Sequence, residues 1–265
     1  MGLALGAAVG ALGFGFTVHR YRQRVSESFL FQPHRPTSHI AGQRWKKCYY
    51  WEQGCDKNND MKCLIVYFHA NAETICESKD YLENLNLPLG CGFLAPEYPG
   101  YGPHDFNRRI PNVADGLEES LQLCQYILRQ QVRPPSVIVI GRSLGAGFAS
   151  WIANRLRDEF NVCGLILLCP FASVSRMAKE MVGCIGRIVV DRSLLNNARE
   201  LRTLPSRIPV CIIHGDEDRI VPLEHSRYLT RQRENIDLII GQGESHNSLT
   251  TSVWVQDFIV REIFS

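Results

Sequence analysis

The run Val137-Ile-Val-Ile-Gly-Arg-Ser-Leu-Gly-Ala-Gly147 constrains this chain more than any other stretch. Four consecutive β-branched residues predict a strand buried on both faces, and the residues from about 145 to 158 read as a helix. Only Gly-x-Ser-x-Gly is left between them to reverse the chain. A turn that sharp brings strand and helix backbones together, so Gly141 and Gly145 stand where side chains would collide, and Ser143 sits on a strained backbone at the tip. A nucleotide-binding turn is the alternative, but the stretch has no lysine for a P-loop and its glycines do not fall as G-x-G-x-x-G.

Repeated along a chain, such apolar strands followed by helices are the signature of a mostly parallel sheet with helices on both faces. The rest of the body supplies them. Apolar runs at Cys63–Phe68, Gly92–Ala95, Leu165–Leu168, Pro209–Ile213 and Asp237–Ile240 alternate with helical patterns over about 74–86, 113–131, 222–233 and 249–263. Lys46–Glu52 reads as an antiparallel edge strand. The predicted class is α/β, a mostly parallel central sheet flanked by helices. At 265 residues, such a chain is long enough to bury about 75% of its unfolded surface in a single domain. Only residues 171–208 break the rhythm. There Met177, Met181, Ile185 and Ile188 recur at helical spacing, which predicts a helix packed on the sheet edge or a small cap bordering a substrate.

A serine hydroxyl is a poor nucleophile at neutral pH. It needs a histidine base, and that histidine needs a carboxylate to set its tautomer. Both should follow on loops after later strands. His246 in Gly241-Gln-Gly-Glu-Ser-His-Asn247 supplies the base, and the loop after Pro209–Ile213 offers Asp216 and Asp218, between which spacing alone does not choose. His69 and His214 end strands, His104 lies in a polar loop, and His225 opens a helix. These read as structural, while His19, His34 and His39 precede the body.

With these motifs the chain from about Cys48 to Phe264 resembles an α/β-hydrolase of the serine-hydrolase superfamily. The resemblance rests on Phe68-His-Ala-Asn-Ala-Glu73, Glu97-Tyr-Pro-Gly-Tyr-Gly102, Gly141-Arg-Ser-Leu-Gly145, His214-Gly-Asp-Glu-Asp218 and Ser245-His-Asn247. Within the superfamily it is similar to the small-cap, membrane-associated group with depalmitoylase-like and lysophospholipase-like members. The resemblance implies an α/β-hydrolase fold with a short cap at 171–208. It also implies Asp218 as the acid, through the pattern H-G-x-x-D-x-x-V, with Asp216 capping the loop. The two oxyanion donors it implies are the backbone N–H groups of Leu144 and Asn71, each typically worth about 3 kcal/mol. His69 and Glu73 then brace the oxyanion loop, and Tyr98 and Tyr101 pack near the pocket mouth. One departure stands out: Ala70 replaces the usual glycine, which would strain the loop if position 70 needed positive φ.

The near-neutral total charge of +2 conceals a local asymmetry. Between 19 and 47, Arg20, Arg22, Arg24, Arg35, Arg44, Lys46 and Lys47 face only Glu27, a net +6. No basic run with interleaved aromatics follows Lys47, so a nucleic-acid groove is not expected. Gly2–Val18 is apolar or small apart from Thr17. As a helix it would be about 25 Å long, just under a typical hydrocarbon core. It lacks a basic leader, and its positive charge follows it, as in an uncleaved anchor that leaves the body in the cytoplasm. An interfacial helix held by the basic collar, or a cleaved or disordered leader, are the competing readings. The expected organisation is therefore an anchor at 1–18, a basic juxtamembrane segment at 19–47 and a hydrolase domain at 48–265.

Ten cysteines without a CxxC pair or repeating spacing read mostly as buried thiols rather than a disulfide scaffold or zinc site. The predicted reaction is acyl transfer to water by Ser143, His246 and Asp218, on an acyl ester or thioester of a lipid or lipidated protein at a membrane. It calls for no cofactor and no metal. An exopeptidase of the same superfamily and an inactive membrane-bound scaffold are the alternatives.

Overall fold

A computed structural model describes residues 31, 33, 43–54, 61–88, 90–106, 108–182, 194–249 and 251–264. The strands are β1 (Gln43–Trp45), β2 (Cys48–Gln53), β3 (Cys63–Phe68), β4 (Cys91–Pro96), β5 (Ser136–Arg142), β6 (Val162–Leu168), β7 (Val210–Gly215) and β8 (Ile236–Gly241). They form one sheet in the order β1-β2-β4-β3-β5-β6-β7-β8. The β1–β2 and β2–β4 pairs are antiparallel and the other pairs parallel.

The helices are α1 (Ile75–Glu83), α2 (Gly102–Asp105), α3 (Val113–Arg129), α4 (Leu144–Leu156), α5 (Val174–Val182), α6 (Asn197–Thr203), α7 (Glu224–Thr230) and α8 (Ser252–Phe264). They cover both faces of the sheet. Leu64, Val66, Val137, Val139, Leu165 and Leu167 pack with α3, α4 and α6 on one side. Their neighbours in sequence, Ile65, Tyr67, Ile138, Ile140, Ile166 and Leu168, pack with α1 and α8 on the other. This two-residue alternation puts every side chain of the central strands into one core or the other, which is why the runs read as continuously apolar.

Local chemistry sets the helix ends. Thr74 caps α1 with a capping box, in which its hydroxyl accepts from Cys76 N–H and Glu77 reaches back to Thr74 N–H. The helix therefore starts one residue later than the predicted 74. Helix α7 is shorter than expected, 224–230 against 222–233.

The sequence predicts one edge strand over 46–52, and the structure has two. Lys46 takes a left-handed φ of 53° in a two-residue turn, Trp45 comes opposite Cys48, and the Trp45 ring stacks on Tyr126 of α3 at 5.1 Å. The sheet thus begins inside the basic 19–47 segment. Phe31 of that segment is also buried, with its ring 6.0 Å from that of Tyr101.

Within 171–208, α5 and α6 are described. Met177 packs against the core, whereas Met181 is exposed. Ile185 and Ile188 lie outside the described residues, as does the expected anchor at 1–18. Among the described residues no helix is long and apolar enough to cross a membrane. The eight described cysteines are free thiols, six of them buried. Burial raises Cys124 and Cys211 to about 12.

Candidate active site

The site lies where β3, β5, β6, β7 and β8 end. Ser143 follows β5 with φ 52° and ψ −111°, a strained conformation outside the usual regions for a residue with a side chain. Its N–H donates to Leu168 O at the end of β6, which holds the tip in place. The two glycines are obligatory for the reason inferred from the sequence. A Cβ on Gly141 would stand 2.2 Å from Gly145 O, and one on Gly145 would stand 2.1 Å from Phe68 O.

Three side chains separated by up to 103 positions meet here. His246 Nε2 is 3.0 Å from Ser143 Oγ, and His246 Nδ1 is 2.6 Å from Asp218 Oδ2. Asp218 and His246 are buried, and Ser143 is half-buried. Asp218 Oδ1 accepts the N–H groups of Ile220 and Val221 at 2.9 and 2.8 Å. Burial opposes the charge of Asp218, but the hydrogen bonds from His214, His246 and Val221 N–H overcome it. They hold the carboxyl well below the ordinary carboxylate range.

Of the two aspartates that spacing left open, Asp218 faces the histidine. Asp216 instead accepts Gly243 N–H at 2.7 Å and ties the acid loop to the loop bearing His246. These loops approach so closely that a Cβ on Gly215 would stand 2.1 Å from Glu244 O.

Asn71 and Leu144 border Ser143 in a cavity of about 110 Å³ that is otherwise walled by Phe171, Val174, Met177, Ile220 and Val221. Ala70 O accepts from His69 Nδ1–H at 2.8 Å and from Glu73 N–H at 3.2 Å. Because the peptide is trans, fixing that carbonyl also fixes the Asn71 N–H, which points the opposite way. Ala70 does not have positive φ, so the alanine puts no left-handed strain on the loop. His69 Nε2 lies 2.8 Å from Glu97 Oε1. Burial would lower the pKa of His69, but Glu97 and the Ala70 carbonyl together raise it and favour the imidazolium.

Tyr98 and Tyr101 are not at the pocket mouth. Both are buried beneath the loop, where Tyr98 donates to His69 O at 2.8 Å and Tyr101 donates to Asn71 Oδ1 at 2.6 Å. A tyrosine whose hydroxyl finds an internal acceptor can be buried whole.

Three further residues bear on the site that the sequence reading left unused. His214 lies 3.2 Å from Asp218 Oδ2 and donates from Nε2 to Val221 O at 2.7 Å. Cys169, at a left-handed φ of 48°, has its thiol close to both His214 and Asp218. Three such ligand types within 4.8 Å of one another would suit a metal by spacing. Here the single Nε2–H of His214 is shared between Val221 O at 2.7 Å and Asp218 Oδ2 at 3.2 Å while Nδ1 is bonded to Ser226 Oγ, so both ring nitrogens are engaged and the imidazole braces Asp218. The third residue, Arg142, occupies the first variable position of G-x-S-x-G. A cation ending an apolar strand requires a buried partner, which is the signal its sequence position carries.

The fold and the geometry define a hydrolase, and the comparisons agree. Residues 60–246 match the family described as "Serine hydrolase (FSH1)", and the chain belongs to that family. It is 27% identical over 261 residues to human Protein ABHD12B, covering 86% of this chain and 68% of that protein. It is 24% identical to human Alpha/beta hydrolase domain-containing protein 17B over 74% of this chain and 63% of that one. Among solved structures it resembles Est1E from Butyrivibrio proteoclasticus, in a complex with ferulic acid. The TM-score is 0.66, with 19% identity, 82% of this chain and 96% of that chain covered.

Proposed function

We propose that this serine hydrolase cleaves acyl ester or thioester bonds, with Ser143 as nucleophile, His246 as general base and acid, and Asp218 orienting His246. The observation that carries the proposal is the unbroken hydrogen-bond line from Ser143 Oγ through both nitrogens of His246 to Asp218. Ser143 Oγ attacks the acyl carbonyl carbon as its proton passes to His246 Nε2. The oxyanion is received by the N–H groups of Leu144 and Asn71. Collapse expels the alcohol or thiol, which takes the proton from His246, and water then repeats the sequence on the acyl-enzyme.

Apolar walls support an acyl chain as the group held beside Ser143. A volume of about 110 Å³ is well below the roughly 300–1,000 Å³ of ligand pockets in general, so it holds only the carbons nearest the carbonyl. The remainder of a long chain leaves across Met177 and the half-exposed Ile220. Presentation of the substrate at a membrane is supported by the apolar run at 2–18 and the +6 segment behind it.

Labelling with a fluorophosphonate probe, with Ser143→Ala as control, tests the chemistry. Ser143-dependent labelling is expected, and its absence from folded protein refutes the proposal. Turnover of a palmitoyl thioester and a lysophospholipid, with none of a dipeptide amide, is expected to follow. Deleting residues 1–18 should release the protein from membranes, and retention there refutes the anchor.

A further inference from the structure

We propose that Arg142 is a positioning residue that locks the oxyanion loop to the histidine loop around Ser143; the proposal rests on the serine-hydrolase reading above. Arg142 immediately precedes Ser143 in the chain, and its guanidinium forks between two other loops. Nη1 donates to Glu73 Oε1 at 2.9 Å, and Nη2 donates to the backbone carbonyl of His246 at 3.2 Å.

Glu73 passes the constraint onward. Its second oxygen accepts Ala70 N–H at 2.9 Å, and its own N–H donates to Ala70 O, the carbonyl whose direction sets that of Asn71 N–H. One continuous path therefore joins the backbone of the base, the residue bonded to the nucleophile, and the peptide carrying an oxyanion donor.

Chemistry explains why arginine stands here. The guanidinium is planar and holds two acceptors at a fixed angle, whereas a lysine ammonium is a point charge on a flexible stem. The side chains of Arg142 and Glu73 are only 23% and 20% exposed, so neither ion is fully hydrated. Nothing in the acyl-transfer steps needs a charge at position 142. Its placement bears on geometry, and a misplacement of about 1 Å at a reacting group can cost on the order of 100-fold in rate.

The test compares Arg142→Gln, Arg142→Lys, Glu73→Gln and the double variant Arg142→Gln/Glu73→Gln with wild type. The readouts are kcat and KM on an activated ester, the rate of fluorophosphonate labelling, and melting temperature to establish folding. Arg142→Gln and Glu73→Gln should each lower kcat by about 10- to 100-fold with KM within about threefold. The double variant should be no worse than the poorer single one, because both break the same path. Arg142→Lys should fall between Gln and wild type. In a further variant, Arg142→Ala, millimolar methylguanidinium should recover part of kcat and methylammonium should not.

Folded Arg142→Gln or Glu73→Gln with wild-type kcat and labelling rate overturns the proposal. So do additive losses in the double variant, or losses confined to KM. Should Arg142→Gln fail to fold, Glu73→Gln and Arg142→Lys decide. Wild-type protein that shows no Ser143-dependent labelling defeats the hydrolase reading itself, whereas normal wild-type labelling with unimpaired Arg142 variants defeats only this proposal.

Discussion

Replacing Asp218 by asparagine changes one atom and should disable the site through a tautomer. Asp218 Oδ1 accepts two N–H groups, from Ile220 and Val221, so the single amide oxygen of asparagine will take that position. The amide nitrogen then occupies the position of Oδ2, 2.6 Å from His246 Nδ1. An NH₂ can only donate there, so His246 must offer a lone pair from Nδ1 and carry its proton on Nε2. That proton points at Ser143 Oγ, and the base is lost. The expected fall in kcat is about 10⁴-fold, or about 5.4 kcal/mol of barrier. Initial rates on an activated ester, with melting temperature as the folding control, measure it. Asp216→Asn should stay within about twofold, because Asp216 accepts Gly243 N–H at the surface and does not touch His246. An Asp218→Asn enzyme that keeps a tenth of wild-type kcat refutes the argument, as does an Asp216→Asn enzyme that loses activity instead.

Other expectations follow from the same contacts. Because folding depresses the pKa of Asp218, its charge contributes stability above the unfolded carboxylate pKa of about 3.9, and that contribution is lost as pH falls toward the folded value. The stability gap between wild type and Asp218→Asn, measured by urea unfolding, should hold steady above about pH 5 and narrow below about pH 4; a gap that widens on acidification contradicts the shift. Gly145→Ala places a methyl 2.1 Å from Phe68 O, a backbone atom that cannot swing aside. It should cost at least the 1–3 kcal/mol typical of overpacking, visible as a lower melting temperature or insoluble protein. Ala70→Gly should not raise kcat, since position 70 does not require positive φ, and should lower stability by about 0.4–1 kcal/mol through the freer unfolded chain. A several-fold gain in kcat from the glycine would mean that alanine strains the loop after all.

The central strands were legible because they are covered on both sides. In β3, β5 and β6 neither face meets water, so the apolar runs are unbroken and bounded by turns. Ser143 was legible because the backbone of its turn tolerates only glycine at 141 and 145, a constraint written into adjacent residues. The edge was harder. β1 is three residues long, lies in a charged stretch and is held by stacking of Trp45 on a helix some 80 positions away, a contact with no local trace.

Fold class, the turn that carries Ser143 and the pair of candidate aspartates can all be read from residue order alone, because each depends on near neighbours in the chain. That Asp218 faces His246 while Asp216 staples a loop emerges once the chain is folded. So do the burial of Tyr98 and Tyr101 beneath the loop at 69–73 and the joining of Glu73 to His246 by Arg142. Hydrogen bonds act only within about 3 Å and in particular directions, so partners 69 or 104 positions apart are identified once the sheet has brought their loops together.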